Sequence, residues 1–145
     1  MTLLKSYYQL CKPNVVYMML ICAFVGMLLA EQTVSSYSYL FIALTGIALC
    51  AASAAAINQV VDREADASMK RTDQRPLPKG DLSVMHASIF AFVIGLLGSM
   101  ILYLYVNTLT MILTIGSLIG YAFIYTVYLK SCLLYTSDAA DDLGR

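Results

Sequence analysis

Charge is what this sequence has least of. Only 12% of its 145 residues are Asp, Glu, Lys or Arg, about half the share in a water-soluble domain. From Leu82 to Leu129 there is none at all. Forty-eight residues without a charge leave no solvated face, which argues against a buried soluble hairpin there. Histidine occurs once, at His86, and the four cysteines (Cys11, Cys22, Cys50, Cys132) form no CxxC pair. That leaves no set of ligands for zinc or for a resident haem, and no disulfide framework. Cys22 and Cys50 sit inside apolar runs and read as small buried hydrophobes. No nucleic-acid partner is expected.

What is abundant is apolar length. The chain is 60% hydrophobic with mean hydropathy +0.75, so a lipid bilayer is its expected solvent. Four apolar runs read as transmembrane helices, over 14–30, 37–57, 82–105 and 108–129, giving an all-α, polytopic helical bundle. Residues 1–13 form an amphipathic lead-in, with Tyr7 and Tyr8 suited to an interface. Pro13 fits a first helical turn, where its missing N–H costs nothing. No cleavable signal is expected, since the start lacks an Ala-x-Ala site and the first run is long enough to span. The second half of 37–57 is built from small residues, Gly46 to Ala56, which let helices approach closely in lipid. That helix is expected at the centre of the bundle. Gly116 and Gly120 form a small-xxx-small pair, expected at another close helix contact. Lys and Arg fall on one side only: Lys5 and Lys12, then Arg63, Lys70, Arg71, Arg75 and Lys79, then Lys130. The turns 31–36 and 106–107 have none. By the positive-inside rule the N-terminus, the charged loop and Lys130 face the cytoplasm.

The charge that does exist is concentrated. Ten of the 18 charged side chains lie between Asn58 and Asp81. Asn58, Asp62 and Asp66 are spaced i, i+4, i+8, so a helix would carry all three on one face, about 6 Å apart along the axis. Two carboxylates and an amide oxygen are hard ligands suited to Mg²⁺, which is commonly shared with substrate phosphates. Lys70, Arg71 and Arg75 follow, and cations beside an acid-bound metal suit a diphosphate. The competing reading is a solvated loop whose charges only set topology. It accounts for the Lys and Arg, but less well for the acids, which contribute little to topology. Arg75-Pro76-Leu77-Pro78 with Gly80 must be a loop. His86 reads as interfacial or packing. Tyr121, Tyr125 and Tyr128 share one helix face, where packing is the plain reading.

The string Asn58-x-x-x-Asp62-x-x-x-Asp66, then Met69-Lys70-Arg71-Thr72 and Arg75-Pro76-Leu77, resembles the first signature of the UbiA-type intramembrane prenyltransferases. Its wording is most similar to the haem-directed farnesyltransferases of that family. Tyr7-Tyr8, Lys12-Pro13, Gly26-Met27 and Tyr125-Thr126-x-x-Leu129-Lys130 add support, and the resemblance covers residues 7–131. It implies a bundle with a central cavity, of which about the first half is present here. It implies that Asn58, Asp62 and Asp66 hold Mg²⁺ on farnesyl diphosphate, that Lys70, Arg71 and Arg75 neutralise it, and that Lys12 and Lys130 reach the same mouth. Tyr125 would lie near the allylic carbons. The acceptor would be a vinyl group of protohaem IX, with haem a substrate and not a cofactor. The expected location is the inner membrane. A same-fold alternative prenylates an aromatic or quinone precursor, and a non-enzymatic alternative is a membrane transporter or structural fragment.

Residues 132–145 break the rhythm of span and loop. Cys132 to Asp141 looks like a translated sequencing adapter, the other reading being a genuine short tail. The expectation is a domain over 1–131 whose natural continuation is missing, with the family's second aspartate-rich motif, and hence no activity in the 145 residues alone.

Overall fold

The computed structural model describes residues 3–30, 36–63, 66 and 75–120. Among the described residues five helices follow one another: α1 (Leu3–Leu10), α2 (Pro13–Ala30), α3 (Tyr37–Val61), α4 (Val84–Tyr105) and α5 (Thr108–Ile119). Among the described residues there is no strand.

Local chemistry sets the ends of these helices. Pro13 opens α2, as its spacing predicts. Ser83 caps α4, its Oγ accepting from the His86 backbone N–H at 3.3 Å. Asn107 caps α5, its Oδ1 accepting from Thr110 N at 2.6 Å. These caps satisfy donors that a helix start would leave bare. Between α3 and α4 the prolines give a turn: Lys79 N donates to Arg75 O and Gly80 N to Leu77 O. Gly80 closes it at φ +80, a left-handed conformation that costs glycine nothing.

α3 packs against each of the other described helices, and its largest contact is with α4. The contact is close because side chains are missing from it. A methyl at Gly98 would lie 2.9 Å from the carbonyl oxygen of Gly46 and 3.0 Å from Cys50 N. A methyl at Gly46 would lie 2.8 Å from Leu102 Cγ. Ser53 Oγ, buried in the same seam, donates to Ala91 O at 2.7 Å. Interhelical hydrogen bonds of this kind in membrane proteins average about 0.6 kcal/mol, so the packing outweighs them. The expected central place of the second span is therefore borne out.

At the end of the bundle near the charged stretch, Leu10, Ala56, Leu77, Leu82, Ala87 and Ala91 form a buried cluster. The rings of Tyr7 and Phe90 meet beside it, 4.8 Å between centroids. The cluster ties α1 and the 75–82 turn to α3 and α4. The outward faces are apolar: Ile21 and Leu29 on α2, and Phe92 and Leu96 on α4, are all exposed.

Two readings change, and two are met only as far as the described residues reach. α3 and α4 are each long and apolar enough to cross a membrane, whereas α1 and Pro13–Leu29 qualify only together, as a pair bent by 45°. The fourth expected span is helical from Thr108, with 12 residues to Ile119, and residues 121–129 lie outside the described residues. Cys22 is exposed, not buried; on the outer face of a helix in lipid its surroundings are apolar without burial in protein. Gly116 and Gly120 meet no close neighbour among the described residues. The close approach instead uses Gly46, Gly95 and Gly98.

Gly98→Ala is expected to destabilise a full-length protein carrying this segment by about 1–3 kcal/mol. Adding Cys50→Ala should not restore it, because the Gly46 carbonyl still obstructs the new methyl. Thermal unfolding in detergent checks both.

Candidate functional site

The helical register of α3 does not stop where the apolar residues do. The helix runs to Val61, with Asp62 as its C-cap, four residues beyond the expected end of the span. Asp62 N donates to Asn58 O at 3.0 Å, and Asp66 N donates to Asp62 O at 2.8 Å. The i, i+4, i+8 spacing therefore becomes one continuous stripe, with Asn58 and Asp62 each 6% exposed and Asp66 3%.

Burying carboxylates costs several kcal/mol each unless cations or hydrogen bonds compensate. Arg75, at the start of the turn, supplies one compensation: its Nη1 lies 2.5 Å from Asp66 Oδ2. The turn can hold it there because Leu77 and Leu82 anchor the following residues in the buried cluster. Arg63 is exposed beside the stripe, in keeping with the outward direction that its register gives.

A cavity of about 310 Å³ lies between α2, α3 and α5. Its walls are apolar, with Ala51, Ala54 and Ala55 from α3 and Val15 and Met19 from α2, and Lys12 lines it too. Asn58 follows Ala54 by one helical turn, so the acidic stripe begins where the apolar wall of α3 ends. Lys12 belongs to the break between α1 and α2 and is the one described non-glycine residue with positive φ, at 47°.

Among the described residues no group of three or more His, Cys, Asp or Glu side chains is close enough to hold a metal ion. The candidate donors are two carboxylates and one amide oxygen. Such a set fits Mg²⁺, which takes one or two carboxylates and completes its shell with water and substrate phosphates. Of the expected site residues, Asn58, Asp62, Asp66, Arg75 and Lys12 are described. Lys70, Arg71, Tyr125 and Lys130 lie outside the described residues. His86 is exposed at the start of α4, its Nδ1 2.7 Å from Ser83 Oγ, which suits a helix-end role.

One functional candidate is silent in the spacing. Gln59, 2% exposed, donates through Nε2 to the carbonyls of Gln9 (3.1 Å) and Leu10 (3.0 Å). The only signal was a second amide beside Asn58, between the apolar Ile57 and Val60.

Apolar helices long enough to cross a membrane, with an apolar cavity between them and buried acids at the end of α3, define an integral membrane protein. The chain is a member of the UbiA prenyltransferase family, whose sequence model matches residues 19–136. It is 52% identical over 126 residues to protoheme IX farnesyltransferase 2 of Pseudoalteromonas atlantica, covering 87% of this chain and 41% of that protein. It is also 52% identical over 126 residues to a protoheme IX farnesyltransferase of Vibrio vulnificus, and 51% to that of Shewanella oneidensis. The chain thus spans about two fifths of the length of the curated relatives it matches. No solved structure matches it.

Arg75→Ala should destabilise the protein by about 1–2 kcal/mol, since it removes one charged partner of a buried carboxylate. Arg75→Lys should recover part of that loss. Denaturant titration of detergent-solubilised protein measures both.

Proposed function

We propose that the protein containing this chain transfers a farnesyl group from farnesyl diphosphate to a vinyl group of protohaem IX, converting haem B to haem O. The observation that carries the reading is the buried Asn58–Asp62–Asp66 stripe, one helical turn beyond the cavity-lining alanines of α3, in a chain half identical to protoheme IX farnesyltransferases.

Asn58, Asp62 and Asp66 would hold Mg²⁺. When bound, the ion would supply positive charge to the leaving diphosphate, an electrostatic task. The chain's own cations share that task. Lys12 lines the cavity, and Arg75 is already at the stripe, on Asp66. Lys70, Arg71 and Lys130 are the further cations proposed for the diphosphate. The apolar walls favour an isoprenoid chain and exclude the water that would quench an allylic cation. As the C–O bond to diphosphate breaks, the ring face of Tyr125 is proposed to favour the positive charge left on carbon. The vinyl π electrons then form the new C–C bond. Water adds its oxygen to the resulting cation and releases one proton, leaving a hydroxyethylfarnesyl group. The proposed setting is the inner membrane, with the N-terminus and residues 58–81 on the cytoplasmic side. The domain is proposed to cover 1–131, with 132–145 outside it.

The test uses a full-length chimera in which residues 1–131 replace the corresponding segment of the Pseudoalteromonas atlantica relative. Asp62→Ala should abolish haem O formation, followed by chromatography of extracted haems. Chelation should stop the unsubstituted chimera and Mg²⁺ should restore it. Haem O formed by the Asp62→Ala protein overturns the site. For topology, Lys79→Cys should be labelled by an impermeant maleimide only when the cytoplasmic face is open.

A further inference from the structure

The break between α1 and α2 leaves a specific hydrogen-bonding deficit. In a continuous helix the carbonyl of Gln9 would accept from the N–H of residue 13. Residue 13 is proline and has no N–H. Leu10 O lies in the same last turn of α1, and the bond it accepts is buried, that of Gln9 part-buried. The side chain of Gln59 meets both from α3, its Nε2 donating to Gln9 O and Leu10 O at 3.1 and 3.0 Å. The other end of the amide is unused: Gln59 Oε1 is buried without a hydrogen-bond partner. The fold therefore uses the donor half of this side chain, and its direction is fixed by the two carbonyls it faces.

The same Gln9 oxygen also accepts from Lys12 N at 3.2 Å. Lys12 O in turn accepts from Val15 N at 2.9 Å and Val16 N at 3.3 Å, opening α2. Lys12 is thus clamped on both sides in its left-handed conformation, φ 47°, one that a lysine backbone rarely adopts unless its surroundings impose it. The clamp ends on Gln59, the residue next to Asn58. We propose that Gln59 is a positioning residue: it fixes the α1–α2 corner to the acidic helix, so that Lys12 is held in the cavity wall to bind the anionic end of the isoprenoid diphosphate. This rests on the site reading proposed above and adds to it the part that aims Lys12.

A purely structural staple would lower stability and leave substrate affinity alone. The test uses the same full-length chimera with Gln59→Met, which keeps the stem length and removes the donor, and Gln59→Glu as the second variant should the first fail to accumulate. The expected result is a five- to tenfold rise in KM for farnesyl diphosphate, with kcat within threefold and KM for haem within twofold. Lys12→Ala should give a similar rise, and the Lys12→Ala/Gln59→Met double variant should be no worse than Lys12→Ala alone. Cys11, half-buried in the corner, gives a readout independent of turnover. Its alkylation in membranes, followed by mass spectrometry, should be at least threefold faster in either Gln59 variant. An unchanged diphosphate KM, multiplying effects in the double variant, or an unchanged Cys11 rate would each overturn the assignment. Asp62→Ala separates this from the site itself. Residual transfer there sinks the site reading, whereas complete loss there with an unchanged KM in the Gln59 variants sinks only the role of Gln59.

Discussion

The contact on which the rest of this bundle depends is the one between α3 and α4 with nothing between their backbones. Lipid tails are as apolar as leucine, so helices in a bilayer gain little from hiding apolar surface from one another. They gain from dispersion contacts, which grow as backbones approach. Gly98 against Gly46 allows that approach, and either methyl would meet atoms at or below 2.9 Å. Once α4 is seated, α3 is covered along one side by α4 and along others by α2, α5 and α1. Most side chains of its last turns are then covered by protein, Val61 being exposed. The polar residues there must find partners inside the protein, and that necessity creates the site.

Each of those partners is drawn from a different part of the chain. Gln59 reaches back to α1, Asp66 reaches forward to Arg75, and the 75–82 turn is held by Leu77 and Leu82 in the same cluster that holds Leu10. The acidic end of α3 is therefore a junction as well as a candidate metal site. The break before Pro13 has a related logic. A proline forces a loss of helical bonding, and an amide from the neighbouring helix makes up the loss. A corner at a membrane surface thereby becomes rigid.

Much of this was legible in the sequence, for physical reasons. The absence of charge announced the spans, the small residues of 37–57 announced the central helix, and Pro13 announced the start of α2. The four-residue spacing of Asn58, Asp62 and Asp66 announced a single stripe, because helical geometry leaves no other arrangement. Other features were not legible. α3 was expected to end at Ile57, where apolarity ends, but backbone bonding continues to Val61 because Asn58 and Gln59 are buried and engaged. Small-xxx-small pairs do not name their partners, so Gly116 and Gly120 could not be told from the glycines that carry the contact. The left-handed Lys12 gave no sign, since lysine has no local preference for that conformation. The bend of 45° between α1 and α2 follows from that residue, and so was invisible as well.

The ion pair between Arg75 and Asp66 has a consequence for the order in which charge enters this end of the bundle. The guanidinium is one third exposed, while the carboxylate it neutralises is nearly covered. A divalent cation bound at Asp66, as proposed above, would compete with Arg75 for that carboxylate and would leave the guanidinium to an anion. If both bound in this way, each would raise the affinity for the other by the same factor. An acidic stripe that keeps a counter-ion on a short turn would, in that sense, take its two ligands as a pair.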